Sequence, residues 1–231
     1  MRAIVTGGTK GIGKAIARKL AAEGYDLAIC ARSYSALEAL KTEFQNYGIE
    51  VLIFVADCSV KQEVLDFCSY VQERWSKIDV LVNNVGMFSP ISFLEEEDND
   101  FESMLNVNLL STYYLSKRIG NQMKNQGFGH IFNIISVNAL TNQQQGRSYG
   151  VTKSAMLSLN NVTREQLTPF KVKVTAIIPG ETLTNSWEGT TIPEDQFVKP
   201  EEIAEILVSV LKLGTNTQVD EIVLKPLNFN L

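Results

Sequence analysis

Residues 2–13 read Arg2-Ala3-Ile4-Val5-Thr6-Gly7-Gly8-Thr9-Lys10-Gly11-Ile12-Gly13, and a helical pattern follows at once. A short β-branched run that breaks into spaced glycines reads as a strand entering a tight turn that opens a helix. Glycines at 7, 11 and 13 permit the turn, a close backbone approach to an anion, and tight packing of helix on strand. The helix N-terminus then presents unpaired N–H groups, which suit a pyrophosphate. Gly7, Thr9, Lys10, Gly11, Ile12 and Gly13 are therefore read as the phosphate cradle of a dinucleotide site.

The same alternation of strand and helix continues along the chain. Apolar β-branched runs at Ala3–Thr6, Leu27–Ala31, Val51–Ala56, Val80–Asn83, His130–Ile135, Val172–Ile178 and Val219–Leu224 predict seven strands. Helical patterns fall between them at about 11–23, 34–47, 60–76, 100–126, 148–168 and 200–212. Strands apolar on both faces and separated by helices imply a parallel sheet covered on both sides. Right-handed crossovers then give a doubly wound, Rossmann-type α/β domain. No linker divides the 231 residues, so residues 1–231 are expected to form a single domain. The run Glu95-Glu96-Glu97-Asp98 is read as the solvated start of the 100–126 helix, favoured by the helix dipole.

Composition excludes several classes. A formal charge of −5 supplies no basic face for a phosphate backbone, so no nucleic-acid partner is expected. Cys30, Cys58 and Cys68 form no C-x-x-C pair and read as reduced thiols in a cytoplasmic protein. With His130 as the single histidine, neither a histidine-rich metal centre nor a Ser-His-Asp triad is expected, and no metal site is assigned. No apolar run reaches the roughly 18 residues a membrane span needs. A strand-like run so close to the initiator argues against a signal peptide.

The second strand ends at Cys30-Ala31-Arg32, where an NAD enzyme usually places an acid for the ribose 2′-hydroxyl. Arg32 stands there instead, with Lys10 in the glycine turn as a second cation. Together they match a 2′-phosphate, so the expected cofactor is NADP(H). Further along, Tyr149 and Lys153 occupy positions i and i+4 of a helix and reach one site. A free phenol titrates near ~10 and is a poor acid–base group at neutral pH. A neighbouring lysine, and the positive nicotinamide of an oxidised cofactor, would both lower it. Ser136 ends the fifth strand at its carboxyl edge, where open α/β sheets bind ligands. Asn83-Asn84-Val85-Gly86 closes the fourth strand in the same region, and Asn108 lies inside the long helix, where a buried amide needs partners.

In this order and spacing the motifs closely resemble the short-chain dehydrogenase/reductase family. The resemblance runs from Thr6-Gly7-x-x-x-Gly11-x-Gly13 through Asp57, Asn83-Asn84-x-Gly86, Asn108, Ser136 and Tyr149/Lys153 to Pro179-Gly180 and Thr184. It implies that Tyr149 is the general acid in reduction and the base in oxidation. Lys153 would hold the nicotinamide ribose and lower the tyrosine pKa, and Ser136 would orient the carbonyl. Asn108 would anchor a water that relays protons from Lys153. Asp57 would meet the adenine amino group, Asn84 the adjacent ribose, and the backbone around Thr182 the carboxamide. Gly86, Pro179, Gly180 and Thr184 complete the implied cofactor set. Val85 departs from the alanine usual at its position, and the Glu181–Lys199 segment is short for the family's substrate lid.

The implied activity is NADPH-dependent, reversible reduction of a ketone or aldehyde to an alcohol. Asn138–Arg147, with Gln143, Gln144 and Gln145, would line the pocket together with Met87–Phe93 and Trp187, which is read equally as a pocket wall or a packing anchor. A 3-oxoacyl-thioester reductase is the alternative. A non-catalytic NADP-sensing regulator is a further one, opposed by the intact Ser136/Tyr149/Lys153 set. Enoyl reductases of this type space the tyrosine and lysine further apart. A homodimer or homotetramer is expected through the helices at 100–126 and 148–168, with Leu109, Tyr113, Met156 and Leu159 as candidate contacts or core residues.

Overall fold

In a computed structural model, which describes residues 1–141 and 147–228, one seven-stranded sheet organises the chain. Strands β1 (Arg2–Thr6), β2 (Asp26–Ala31), β3 (Val51–Val55), β4 (Val80–Asn83), β5 (Gly129–Ile134), β6 (Val172–Pro179) and β7 (Glu221–Leu224) lie in the order 3-2-1-4-5-6-7. All neighbouring pairs are parallel. The sheet order reverses between β1 and β4, and in open α/β sheets the ligand crevice lies at such a reversal, outside the carboxyl ends of the strands.

Among the described residues, seven α-helices cover the sheet: α1 (Gly11–Ala22), α2 (Tyr34–Phe44), α3 (Lys61–Arg74), α4 (Asp98–Met104), α5 (Ser111–Gln126), α6 (Arg147–Leu167) and α7 (Pro200–Leu211). Alternation along β1 divides the core. Ala3 and Val5 pack with Ile16 and Leu20 of α1, Leu37 and Phe44 of α2, and Ile203 and Leu207 of α7. Ile4 faces the other way, onto Val64 and Phe67 of α3 and Leu115 and Ile119 of α5. Both faces of β1 are thus apolar because both are buried.

One polar ladder crosses this apolar interior. Asn83 and Asn133 are register partners on β4 and β5. Asn83 Nδ2 donates to Ser116 Oγ of α5 at 3.0 Å and to Asn133 Oδ1 at 2.8 Å, and Asn133 Nδ2 donates to Asn160 Oδ1 of α6 at 2.8 Å. The ladder ties two strands to α5, which continues from the turn bearing Asn108, and to α6, which bears Tyr149 and Lys153.

The expected 100–126 helix is not one regular helix. Glu97 precedes α4, whose first turn holds Asp98 and Asp100. Leu105–Leu110 then form a π turn before α5 begins. A π turn adds a residue to the helical repeat and is common where a helix must aim a side chain at a site. Asn108 lies within it and is fully buried. The expected helix over 34–47 ends as α2 at Phe44, followed by a 3₁₀ turn over Gln45–Tyr47. Beyond β6, residues 181–199 leave the sheet and return. Their base is closed by a parallel bridge between Thr182 and Val198 and by Leu183 N–H to the Val198 carbonyl at 2.9 Å. Trp187 stands edge-on to the buried Phe197, ring centroids 5.0 Å apart. Of its two expected roles, this contact fits the packing anchor.

Candidate active site

The carboxyl edge of the sheet gathers the residues singled out in the sequence. At β1, Gly7 and Gly11 adopt φ of 63° and 49°, conformations that favour glycine. At Gly13 an added Cβ would lie 2.4 Å from the Gly7 carbonyl, so α1 starts this close to the turn only without a side chain. Lys10 occupies the N-cap of α1 without a side-chain cap, leaving the first-turn N–H groups free of side-chain acceptors. An uncapped helix start behind a glycine turn fits a pyrophosphate. The methyl of Thr184 comes within 3.2 Å of the position a Gly11 Cβ would take, so the 181–199 segment overhangs the turn.

Asn84 and Thr6 stitch this turn to β4. Asn84 Nδ2 donates to the carbonyls of Thr6 (2.9 Å) and Gly7 (3.2 Å). Thr6 Oγ1 accepts the N–H groups of Asn84 (3.0 Å) and Val85 (3.2 Å). Val85, in place of the usual alanine, packs its side chain against the α3/α5 side of the core. Arg32 is exposed at the end of β2, and its positive charge reaches Asp57 beyond β3. The Asp57 carboxyl is held below its usual range by the Ser59 backbone N–H first, against the cost of burial, with Arg32 adding to the effect. Pro179 ends β6, Gly180 N–H bonds the Leu224 carbonyl at 2.7 Å, and Thr182 Oγ1 bonds the Gly180 carbonyl at 2.9 Å.

Across the crevice, α6 presents Tyr149 and Lys153. Lys153 is 2% exposed, and its Nζ donates to the Ile134 carbonyl at 3.0 Å. The ammonium lies 5.6 Å from the Tyr149 ring centroid. Burial lowers the Lys153 pKa to about 8. Burial raises the Tyr149 phenol to about 12, opposed by a hydrogen bond from Ser136. The lowering of the phenol expected from the sequence draws on the nicotinamide charge as well as on Lys153, and so belongs to the cofactor-bound site. Ser136 caps a 3₁₀ turn, its Oγ accepting the Asn138 N–H at 3.2 Å.

Asn108 completes the set. Its Oδ1 accepts the Met87 N–H at 2.7 Å, and its Nδ2 donates to the Met87 carbonyl and to Thr152 Oγ1, each at 2.9 Å. Thr152 donates in turn to the Tyr149 carbonyl at 2.8 Å. Gly86 sits between these groups, an added Cβ lying 3.5 Å from Lys153 Nζ and 3.6 Å from Asn108 Oδ1. Two residues given no role from the sequence, Thr6 and Thr152, therefore hold the site together. Thr152 carried a signal, since it sits at i+3 from Tyr149 and shares its helix face. The expected pocket residues Gln143, Gln144 and Gln145 lie outside the described residues.

A family model described as short chain dehydrogenase matches residues 1–194, so the chain belongs to that family of oxidoreductases. An uncharacterized oxidoreductase of Staphylococcus saprophyticus is 29% identical over 225 residues, covering 97% of this chain and 96% of the relative. An alcohol dehydrogenase from Thermococcus sibiricus, solved with 5-hydroxy-NADP, superposes with a TM-score of 0.91 at 31% identity, covering 100% of this chain and 98% of that one. A metagenomic short-chain oxidoreductase solved with NADP gives 0.87 at 26% identity, covering 99% and 98%. Among the described residues, no helix is long and apolar enough to cross a membrane.

Proposed function

We propose that the protein is an NADP(H)-dependent carbonyl reductase, working reversibly as an alcohol dehydrogenase. The observation that carries this is the buried Lys153 beside Tyr149 and Ser136, on the same sheet edge as a glycine turn whose helix start is uncapped. The two solved relatives that hold NADP or its 5-hydroxy form support the cofactor. The pyrophosphate would rest on Gly11, Ile12 and Gly13, with Gly7 and Thr9 shaping the turn. Arg32 and Lys10 would pair with the 2′-phosphate, and Asp57 would face the adenine. Asn84, Gly86, Pro179, Gly180, Thr182 and Thr184 would line the ribose and nicotinamide end.

The bound cofactor supplies the hydride. Everything else falls to the chain. Asn138 N–H occupies an acceptor position on Ser136 Oγ, which leaves the hydroxyl proton free to meet a carbonyl oxygen or the phenol. Tyr149, with its pKa near 12, is protonated at neutral pH and gives its proton to the developing alkoxide. Lys153 keeps an ammonium against the Ile134 carbonyl, where it would also meet the ribose hydroxyls. Asn108 holds the Met87 and Thr152 ends of the site and would anchor the relay water. Residues 181–199, closed at their base by the Thr182–Val198 bridge, would act as a short lid. Exposed Tyr113 and Val151 on α5 and α6 favour self-association as a dimer or tetramer.

The test is fluorescence titration with NADPH and NADH, then NADPH oxidation against a carbonyl panel. Tight NADPH binding with turnover is expected. Tyr149→Phe should keep NADPH binding and lose activity by at least about a hundredfold. Near-normal turnover in that variant sinks the assignment.

A further inference from the structure

Phe88 is a large ring that the fold fixes in place without burying. It is 46% exposed, yet it stands edge-on to Tyr149, with centroids 5.2 Å apart and planes at 89°. The residue before it, Met87, has both backbone groups held by the buried Asn108 side chain. Those two bonds fix where the Phe88 side chain starts, and the ring contact fixes where it points. Burial explains little of this, because nearly half of the residue stays exposed and gains nothing from the core. Ile91, Phe93 and Leu94 on the same loop are exposed as well, as is Leu140, four residues beyond Ser136. An aromatic ring pinned against the acid–base phenol while facing solvent is accounted for by what lands on it.

We propose that Phe88 is the wall against which the substrate's carbonyl substituent packs, and that the substrates are ketones or aldehydes carrying an aryl or comparable apolar group. This rests on the carbonyl-reductase reading of the same site. An aryl substituent laid on Phe88 removes apolar surface from water on both partners. A polyhydroxy chain would surrender water at its hydroxyls to a ring that offers no donor or acceptor in return. The reaction is balanced by the cofactor. A hydride from NADPH adds to the carbonyl carbon, the Tyr149 proton goes to the oxygen, and the products are the alcohol and NADP⁺.

The experiment compares acetophenone with a keto-hexose as substrates, following loss of NADPH absorbance. The expected kcat/KM for acetophenone exceeds that for the sugar by about tenfold or more. Phe88→Ala should lower the acetophenone value by about tenfold, chiefly through KM, and narrow the ratio. Phe88→Leu and Phe88→Asn, similar in size and opposite in polarity, should separate, with leucine retaining more of the preference. NADPH titration shows that each variant has its cofactor site, and where the alanine variant fails that check the leucine and asparagine pair decides. A wild-type preference for the sugar, or equal losses on both substrates in Phe88→Ala, overturns the apolar wall and leaves the reductase standing. Reduction of neither compound by protein that binds NADPH overturns both readings together.

Discussion

Tyr149 and Lys153 sit one helical turn apart, and burial moves them in opposite directions, the phenol up and the ammonium down. The lysine is therefore the group that titrates near working pH. Its charged form exists below its pKa of about 8, so activity that depends on the ammonium should hold below that value and fall as pH rises through it. A pH profile of carbonyl reduction checks the direction; a limb falling instead toward acid pH would remove Lys153 from the rate-determining protonation. Arg32 offers a separate test. It is exposed at the edge of β2 with Asp57 as its charged neighbour. Losing the proposed pairing with a 2′-phosphate should cost about 1.5–3 kcal/mol, the range for a charge-assisted hydrogen bond. Arg32→Ala is thus expected to weaken NADPH by roughly ten- to a hundredfold and leave NADH nearly unchanged in the same fluorescence titration.

Helices α5 and α6 are tied to the strands beneath them by buried side-chain amides. The Ser116–Asn83–Asn133–Asn160 ladder is a buried amide chain whose members depend on one another. Asn133→Leu would leave the Asn160 carbonyl without its donor and remove an acceptor from Asn83. An orphaned buried polar group costs about 1–3 kcal/mol, so the urea midpoint should fall accordingly with an unchanged slope. An unshifted midpoint would show that the ladder adds nothing to stability. At this scale the sequence was easy to read where one rule acted alone. The inner strands announced themselves as apolar runs, because a sheet covered on both faces leaves little polar alternation to confuse them, while the edge strand β7 alternates exposed and half-buried residues. The π turn was hidden, since Leu105-Asn106-Val107-Asn108-Leu109-Leu110 is compatible with an ordinary helix. Its extra residue answers to contacts with Met87 and Thr152, which lie 21 and 44 positions away.

For the whole molecule, the carboxyl edge of the sheet gathers Gly7, Arg32, Asp57, Asn84, Ser136 and Gly180 from the ends of β1 to β6, an arrangement that a parallel strand order implies. Gly7, Ser136, Tyr149 and Lys153 could be placed from the sequence because each sits at a fixed offset from a strand or helix boundary. Thr6 and the Phe88–Tyr149 contact could not, because their partners exist only once β1, β4 and α6 are side by side. Association between copies is also a property of this scale. Met156, a candidate contact, is fully buried within the chain, whereas Leu110, Tyr113, Val151 and Val162 remain exposed along the π turn, α5 and α6. Light scattering should therefore return a multiple of the 25.7 kDa chain mass, and Val151→Glu should reduce it. A monomer mass for the unaltered chain would end that expectation.

The π turn carries one more consequence. Successive residues of an α-helix are rotated by about 100° around its axis. A chain lacking one residue between Leu105 and Leu110 would still be helical there, but everything on α4 would be turned by that angle relative to α5. Asn108 would lose its grip on Met87, and the loop bearing Phe88 would come free of the phenol. The segment is thus intolerant of shortening: its length matters as much as the identity of Asn108 within it.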